Sequence, residues 1–132
     1  MQRLIALSIT GLIAACSATE MPDAPEGAQL FADNCAACHG TSAMGDGVLV
    51  SELTQKPADL TRISARNGGT FPRAQVLSVI DGYSKGSHPG RIMPEFGLLL
   101  EGDTVPVEVD GVLTPTPRPL AALLAYLEDI QQ

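Results

Sequence analysis

Two cysteines separated by two residues and followed at once by a histidine, Cys35-Ala36-Ala37-Cys38-His39, restrict this chain more than any other feature. The thiols stand at i and i+3, on one side of a helical turn, and the imidazole comes directly after them. Upstream, Gly27, Leu30, Phe31, Asn34, Cys35 and Cys38 recur at helical spacing. This predicts an amphipathic helix with both thiols on its mainly apolar face. Pro25 and Glu26 suit its first turn and Gly40 its stop.

Three chemistries use such a trio. A thioredoxin-like dithiol normally follows a strand and opens a helix, whereas this pair closes one. A zinc site built from Cys35, Cys38, His39 and His88 lacks a second pair at zinc-ligand spacing. Covalent attachment of haem c uses every part of the pattern: two thiols add across the two vinyl groups on one edge of a porphyrin, and the adjacent imidazole reaches the iron from one face. Composition agrees. Aromatic residues are only 4% of the chain, with no Trp, so side chains alone make a thin core and one bound haem would fill it.

The first residues read as an address. Arg3 precedes Leu4–Cys16, in which ten of thirteen residues are apolar. A membrane span needs about 18 or more, so this length suits the core of a secretory signal. Its end, Ile13-Ala14-Ala15-Cys16, resembles the lipobox of bacterial lipoproteins, which implies cleavage before Cys16 and lipidation of Cys16. The expected division is a signal peptide at 1–15, a polar tether at 16–25 and one domain at 26–132. With Cys16 carrying lipid and Cys35 and Cys38 carrying haem, no cysteine is left for a disulfide.

Iron held by His39 calls for a second axial ligand, and the candidates are Met93, His88 and Met44. Met93 stands in Arg91-Ile92-Met93-Pro94-Glu95-Phe96-Gly97. Pro94 biases Met93 towards extended backbone and removes an N–H from a strap that would lie on a low-dielectric ring face. The long span from His39 lets the chain pass round a haem, which Met44, close behind His39, cannot do easily. Met93 is the expected ligand. A thioether raises the reduction potential and closes the iron to O₂.

These residues carry a resemblance. Gly27-x-x-Leu30-Phe31, the thiol–imidazole motif with Gly40, Gly45-Asp46-Gly47, Pro57-Ala58-Asp59-Leu60-Thr61, Met93-Pro94-x-Phe96-Gly97 and Tyr126-Leu127 together resemble the class I c-type cytochromes, the small bacterial monohaem ones. The resemblance implies an all-α cytochrome c fold, with N- and C-terminal helices crossed around one covalent haem. It implies single-electron transfer rather than enzymatic turnover, and redox proteins as partners. It also places the carbonyl that accepts the His39 ring N–H near Pro57.

Other segments fit that frame. Leu120, Leu123, Leu124, Leu127 and Ile130 form one apolar stripe, Gly27 permits close approach to it, and Phe31 and Tyr126 are placed to meet. Thr70-Phe71-Pro72 reads as a helix start, with Val76, Leu77 and Ile80 inside and Gly82 as stop. Residues 41–69 read as loop. Thr104–Leu113 reads as a small inserted β-hairpin or extended loop with its turn at Asp110-Gly111, and Pro106 argues for an edge strand. Pro115, Pro117 and Pro119 read as a stiff lead-in to the last helix. Arg62, Arg66 and Arg91 are candidates for pairing haem propionates.

The net charge of −7, with no basic run, excludes binding to a nucleic-acid backbone. It favours partners with basic docking surfaces. No small-molecule substrate is implied. The expected protein is a monohaem electron carrier, exported to the periplasmic face of a bacterial membrane and held there by lipid. A fixed haem subunit of a larger membrane oxidoreductase, and a haem enzyme or gas sensor with a labile sixth ligand, are the competing readings.

Overall fold

Asp23 starts the first helix: its Oδ1 accepts the Glu26 N–H at 3.0 Å. Such a cap is worth about 1 kcal/mol. The helix, α1, spans Ala24–Asn34, so it begins inside the segment read as tether. The computed structural model describes residues 20–83 and 93–132; Cys16, His88 and Arg91 lie outside the described residues.

The single helix expected through both cysteines is interrupted once. Cys35 departs to φ −119°, and the chain resumes as α2, Ala36–His39. The cause is local. The Asn34 side-chain amide donates to the Leu30 carbonyl at 2.9 Å, competing with the backbone and bending the helix. The ladder nonetheless bridges the bend, from Cys35 N–H to Phe31 O (2.8 Å) and from His39 N–H to Cys35 O (2.9 Å). Gly40, at φ +80°, stops it as expected.

The last helix, α6, spans Arg118–Asp129 and buries Leu120, Leu123, Leu124 and Leu127, with Ile130 half-buried beyond its end. It packs on α1 where a side chain is missing: a Cβ on Gly27 would lie 2.0 Å from the Ala122 carbonyl oxygen. Phe31 and Tyr126 meet across this contact, their ring centroids 5.2 Å apart and tilted by 49°.

Residues 41–69 are mostly loop. They hold short helical pieces that periodicity does not reveal, 3-10 turns at Val50–Glu52 and Leu60–Arg62 and a single turn, α3, at Ile63–Arg66. Elements this short carry no repeat of apolar positions to read. Helix α4, Arg73–Asp81, turns Val76 and Ile80 inward and ends at Gly82 in the left-handed region. After Met93–Glu95, which form no helix or strand, Phe96–Leu99 forms one further turn, α5, anchored by buried Phe96.

The inserted hairpin is a two-stranded antiparallel sheet of β1, Thr104–Val109, and β2, Val112–Pro117. Asp110 (φ 51°) and Gly111 (φ 81°) make the tight turn. Pro115 and Pro117 belong to β2 rather than to a separate lead-in. The register explains why the ladder accepts them. Counting from the Val109–Val112 pair that closes the turn, Pro106, Pro115 and Pro117 all fall at non-hydrogen-bonded pairs, where the missing N–H would point away from the partner strand. The Arg118 N–H to Asp103 O bond (2.8 Å) confirms the alternation. Val105 and Val107 face the core.

Two arginines tie these parts together. Arg118 makes a two-point pair with Glu26 (2.8 and 3.1 Å) and donates to the Glu20 carbonyl at 2.6 Å. Arg73 holds Glu128 of α6 at 2.8 Å and the Glu108 carbonyl of β1 at 2.8 Å. Each opens a helix, where a cation opposes the helix dipole; that misfit is the sequence signal that an acidic partner must answer it. Among the described residues no helix is long and apolar enough to cross a membrane.

Candidate functional site

The site grows from the bend between α1 and α2. Cys35 packs against the edge of the core, and Cys38 and His39 are half-buried beside it. Both thiols are free. Burial, and secondarily the neighbouring Cys38, push the Cys35 thiol up to about 11. A redox dithiol needs the reverse, a lowered value that exposes thiolate. Burial holds His39 below its ordinary value, with the bond to Ala58 opposing, so the neutral, metal-binding ring is favoured.

The loop after the motif folds back onto it. Gly45 N–H reaches His39 O (2.8 Å), Gly47 N–H reaches Cys38 O (3.2 Å) and Leu49 N–H reaches Ala37 O (3.0 Å), so the carbonyls ending α2 are satisfied by backbone. This explains Gly45-Asp46-Gly47. A Cβ on Gly47 would lie 2.4 Å from Ala37 O, and one on Gly45 would lie 2.2 Å from Pro57 O. Asp46 accepts from the Ser42 hydroxyl at 2.9 Å.

Through the Gly45–Pro57 contact, the second pass of the loop comes alongside the histidine. His39 Nδ1 lies 3.3 Å from the Ala58 carbonyl oxygen. A carbonyl only accepts, so Nδ1 carries the proton, and Nε2 keeps a lone pair for a metal. The acceptor stands one residue from Pro57, where it was sought.

The other candidates are placed as follows. Met93 is half-buried and packs against the hydrophobic core, whereas Met44 is 43% exposed. Arg62 and Arg66 are exposed, and both charges act on the carboxylate of Asp59. Among the described residues no group of three or more His, Cys, Asp or Glu side chains is arranged to hold a metal ion by itself. Sequence reasoning did not single out Asp59, which caps its turn by accepting from the Thr61 N–H (2.9 Å) and hydroxyl (2.6 Å). Nor did it single out Gln131, which bonds back to the same segment.

Two thiols one helical turn apart, beside an imidazole with one nitrogen committed and the other free, suit a haem bonded through thioethers. They suit a bare cation poorly. The family model for cytochrome c matches residues 24–131. A search of curated proteins and a search of solved structures each found no match. On that match, over most of its length, the chain belongs to the cytochrome c family and binds haem c covalently.

Proposed function

We propose that this protein is a lipid-anchored carrier of single electrons whose iron is held by His39 and Met93. The observation that carries the reading is the His39 Nδ1–H bond to the Ala58 carbonyl, which orients the ring and frees Nε2. Members of this family are usually electron carriers. When bound, the haem supplies a metal that changes oxidation state by one electron.

The chain's own residues do the rest. Cys35 and Cys38 would hold the group through thioethers. His39 offers a neutral nitrogen, and Ala58 fixes that ring's orientation and raises its basicity. Met93, on the segment before α5, offers a soft neutral sulfur that favours the reduced metal. Arg62 and Arg66, with Arg91, supply positive charge for the propionates. His39 and Met93, each fixed by the fold, would move little between the two oxidation states, which would suit fast transfer.

The Ile13–Cys16 pattern supports export and lipidation at Cys16. Lipid chains there would hold the domain at the periplasmic face of a bacterial membrane without a span. The net charge of −7, one more negative once Arg3 leaves with the signal peptide, would steer it to basic partners, so transfer rates would fall as ionic strength rises. A second reading, a haem subunit fixed in a larger oxidoreductase, is favoured by the hairpin tip, where Val112 (64%) and Leu113 (67%) stand exposed.

Spectroscopy of the reduced protein tests the ligation. The expected result is low-spin, six-coordinate haem that binds no CO at neutral pH, with Met93→Ala converting it to a CO-binding form. CO binding by the unmodified protein would show a labile sixth site and move it to the enzyme or sensor class.

A further inference from the structure

The residue before the last in the sequence reaches across the fold to the segment that orients His39. Gln131 Oε1 accepts the Ser64 N–H at 2.8 Å, and Nε2 donates to the Leu60 carbonyl at 2.8 Å and to the Leu127 carbonyl at 2.5 Å. Gln132 N–H adds a bond to Thr61 O at 2.9 Å. The two residues that follow α6 and Ile130 are thus bonded to residues 60, 61 and 64. That segment is fixed on its other side by Leu60 N–H to Ala43 O, at 2.8 Å. Ala58, whose carbonyl meets His39 Nδ1, is two residues upstream of the Leu60 carbonyl that Gln131 holds.

We infer that Gln131 is a positioning residue for the axial histidine, acting through Leu60 and Ser64 to set where the Ala58 carbonyl stands. The 3.3 Å separation makes the contact sensitive, because it lies near the outer limit of a hydrogen bond and a shift of a few tenths of an ångström decides whether the bond is made. Gln131 suits the task because one amide holds a donor and an acceptor of the same segment at once, which neither a carboxylate nor an ammonium can do. A weaker Nδ1–H bond leaves the ring less basic and the oxidised metal less stabilised.

The inference rests on His39 being the iron ligand, and its test separates the two. In haem-loaded protein, Gln131→Met keeps the volume and removes the amide. It is expected to shift the Fe(III)/Fe(II) equilibrium against a fixed redox mediator about two- to tenfold towards Fe(II), the range of one net hydrogen bond. Proton exchange at the His39 ring N–H, read by NMR in the reduced protein, is expected to quicken. Gln131→Leu also removes both amide bonds without adding charge, and supplies the readout if Gln131→Met accumulates poorly. Arg118→Ala, which loosens the far end of α6, lowers stability and moves neither quantity. Unchanged equilibrium and exchange in both Gln131 variants, or equal shifts in Arg118→Ala, overturn the positioning role. Absence of covalent haem from the unmodified protein overturns instead the reading on which it rests.

Discussion

Around α1 and α6 the chain is held by buried side chains. Leu120, Leu123, Leu124 and Leu127 are each 4% exposed or less, and burying one such side chain is worth about 1.5–3 kcal/mol. Between residues 41 and 69 the only side chains buried are Ala43 and Thr61, and the chain is held by backbone bonds and by glycines that let strands of loop touch. The first region is a conventional core. The second has too little apolar burial of its own to offset the entropy of ordering that much chain. On the proposed reading it is the part that the haem completes, which would answer the shortage of aromatic side chains.

The sharpest way to break this contrast is to deny the loops their haem. In a Cys35→Ala/Cys38→Ala protein, amide hydrogen exchange is expected to show protection lost over residues 41–62 and largely kept in α1 and α6. Uniform loss, or fully protected loops, would erase the distinction. Next in size is Leu124→Ala, expected to cost about 3 kcal/mol by urea unfolding because it hollows the core. Gly27→Ala drives a Cβ into the Ala122 carbonyl and should cost about 1–3 kcal/mol by the same assay, without altering the haem spectrum.

Arg73→Ala should cost only about 1 kcal/mol, since its pair with Glu128 is more than one-third exposed on both sides. The smallest effect is expected at Asp59. The Thr61 hydroxyl above all holds its carboxyl below the ordinary value of 3.8; burial opposes it, and the Thr61 N–H and the charges of Arg66 and Arg62 add smaller lowering effects. A lowered value in the folded state means stability that is present above pH 4 or so and is lost as pH falls through the folded value. Asp59→Asn should therefore flatten the acid limb of a urea-midpoint-against-pH curve and leave the neutral region parallel.

The same contrast sets what could be read from sequence. The apolar stripe of α6 and the Asp110-Gly111 turn follow from periodicity and turn chemistry within a few residues, whereas the close approach at Gly27 and the Phe31–Tyr126 meeting come only with the family resemblance. The carbonyl for His39 was located to within one residue. Illegible were the bend at Cys35, set by one asparagine side chain, and the extension of β2 to Pro117, which depends on register. The bonds of Arg118 to Glu26 and of Gln131 to Leu60 were also hidden, since they join positions 92 and 71 residues apart. Local pattern predicts elements; it does not say which distant carbonyl an amide will find.

The central claim is that one haem is bonded to Cys35 and Cys38 in a chain that begins at a lipidated Cys16. Intact-mass analysis of denatured, membrane-extracted protein from a host competent for cytochrome maturation tests it in one step. The account predicts a single species with the mass of residues 16–132, one haem and the acyl chains. A colourless chain, or pigment released into acidified acetone, would contradict it.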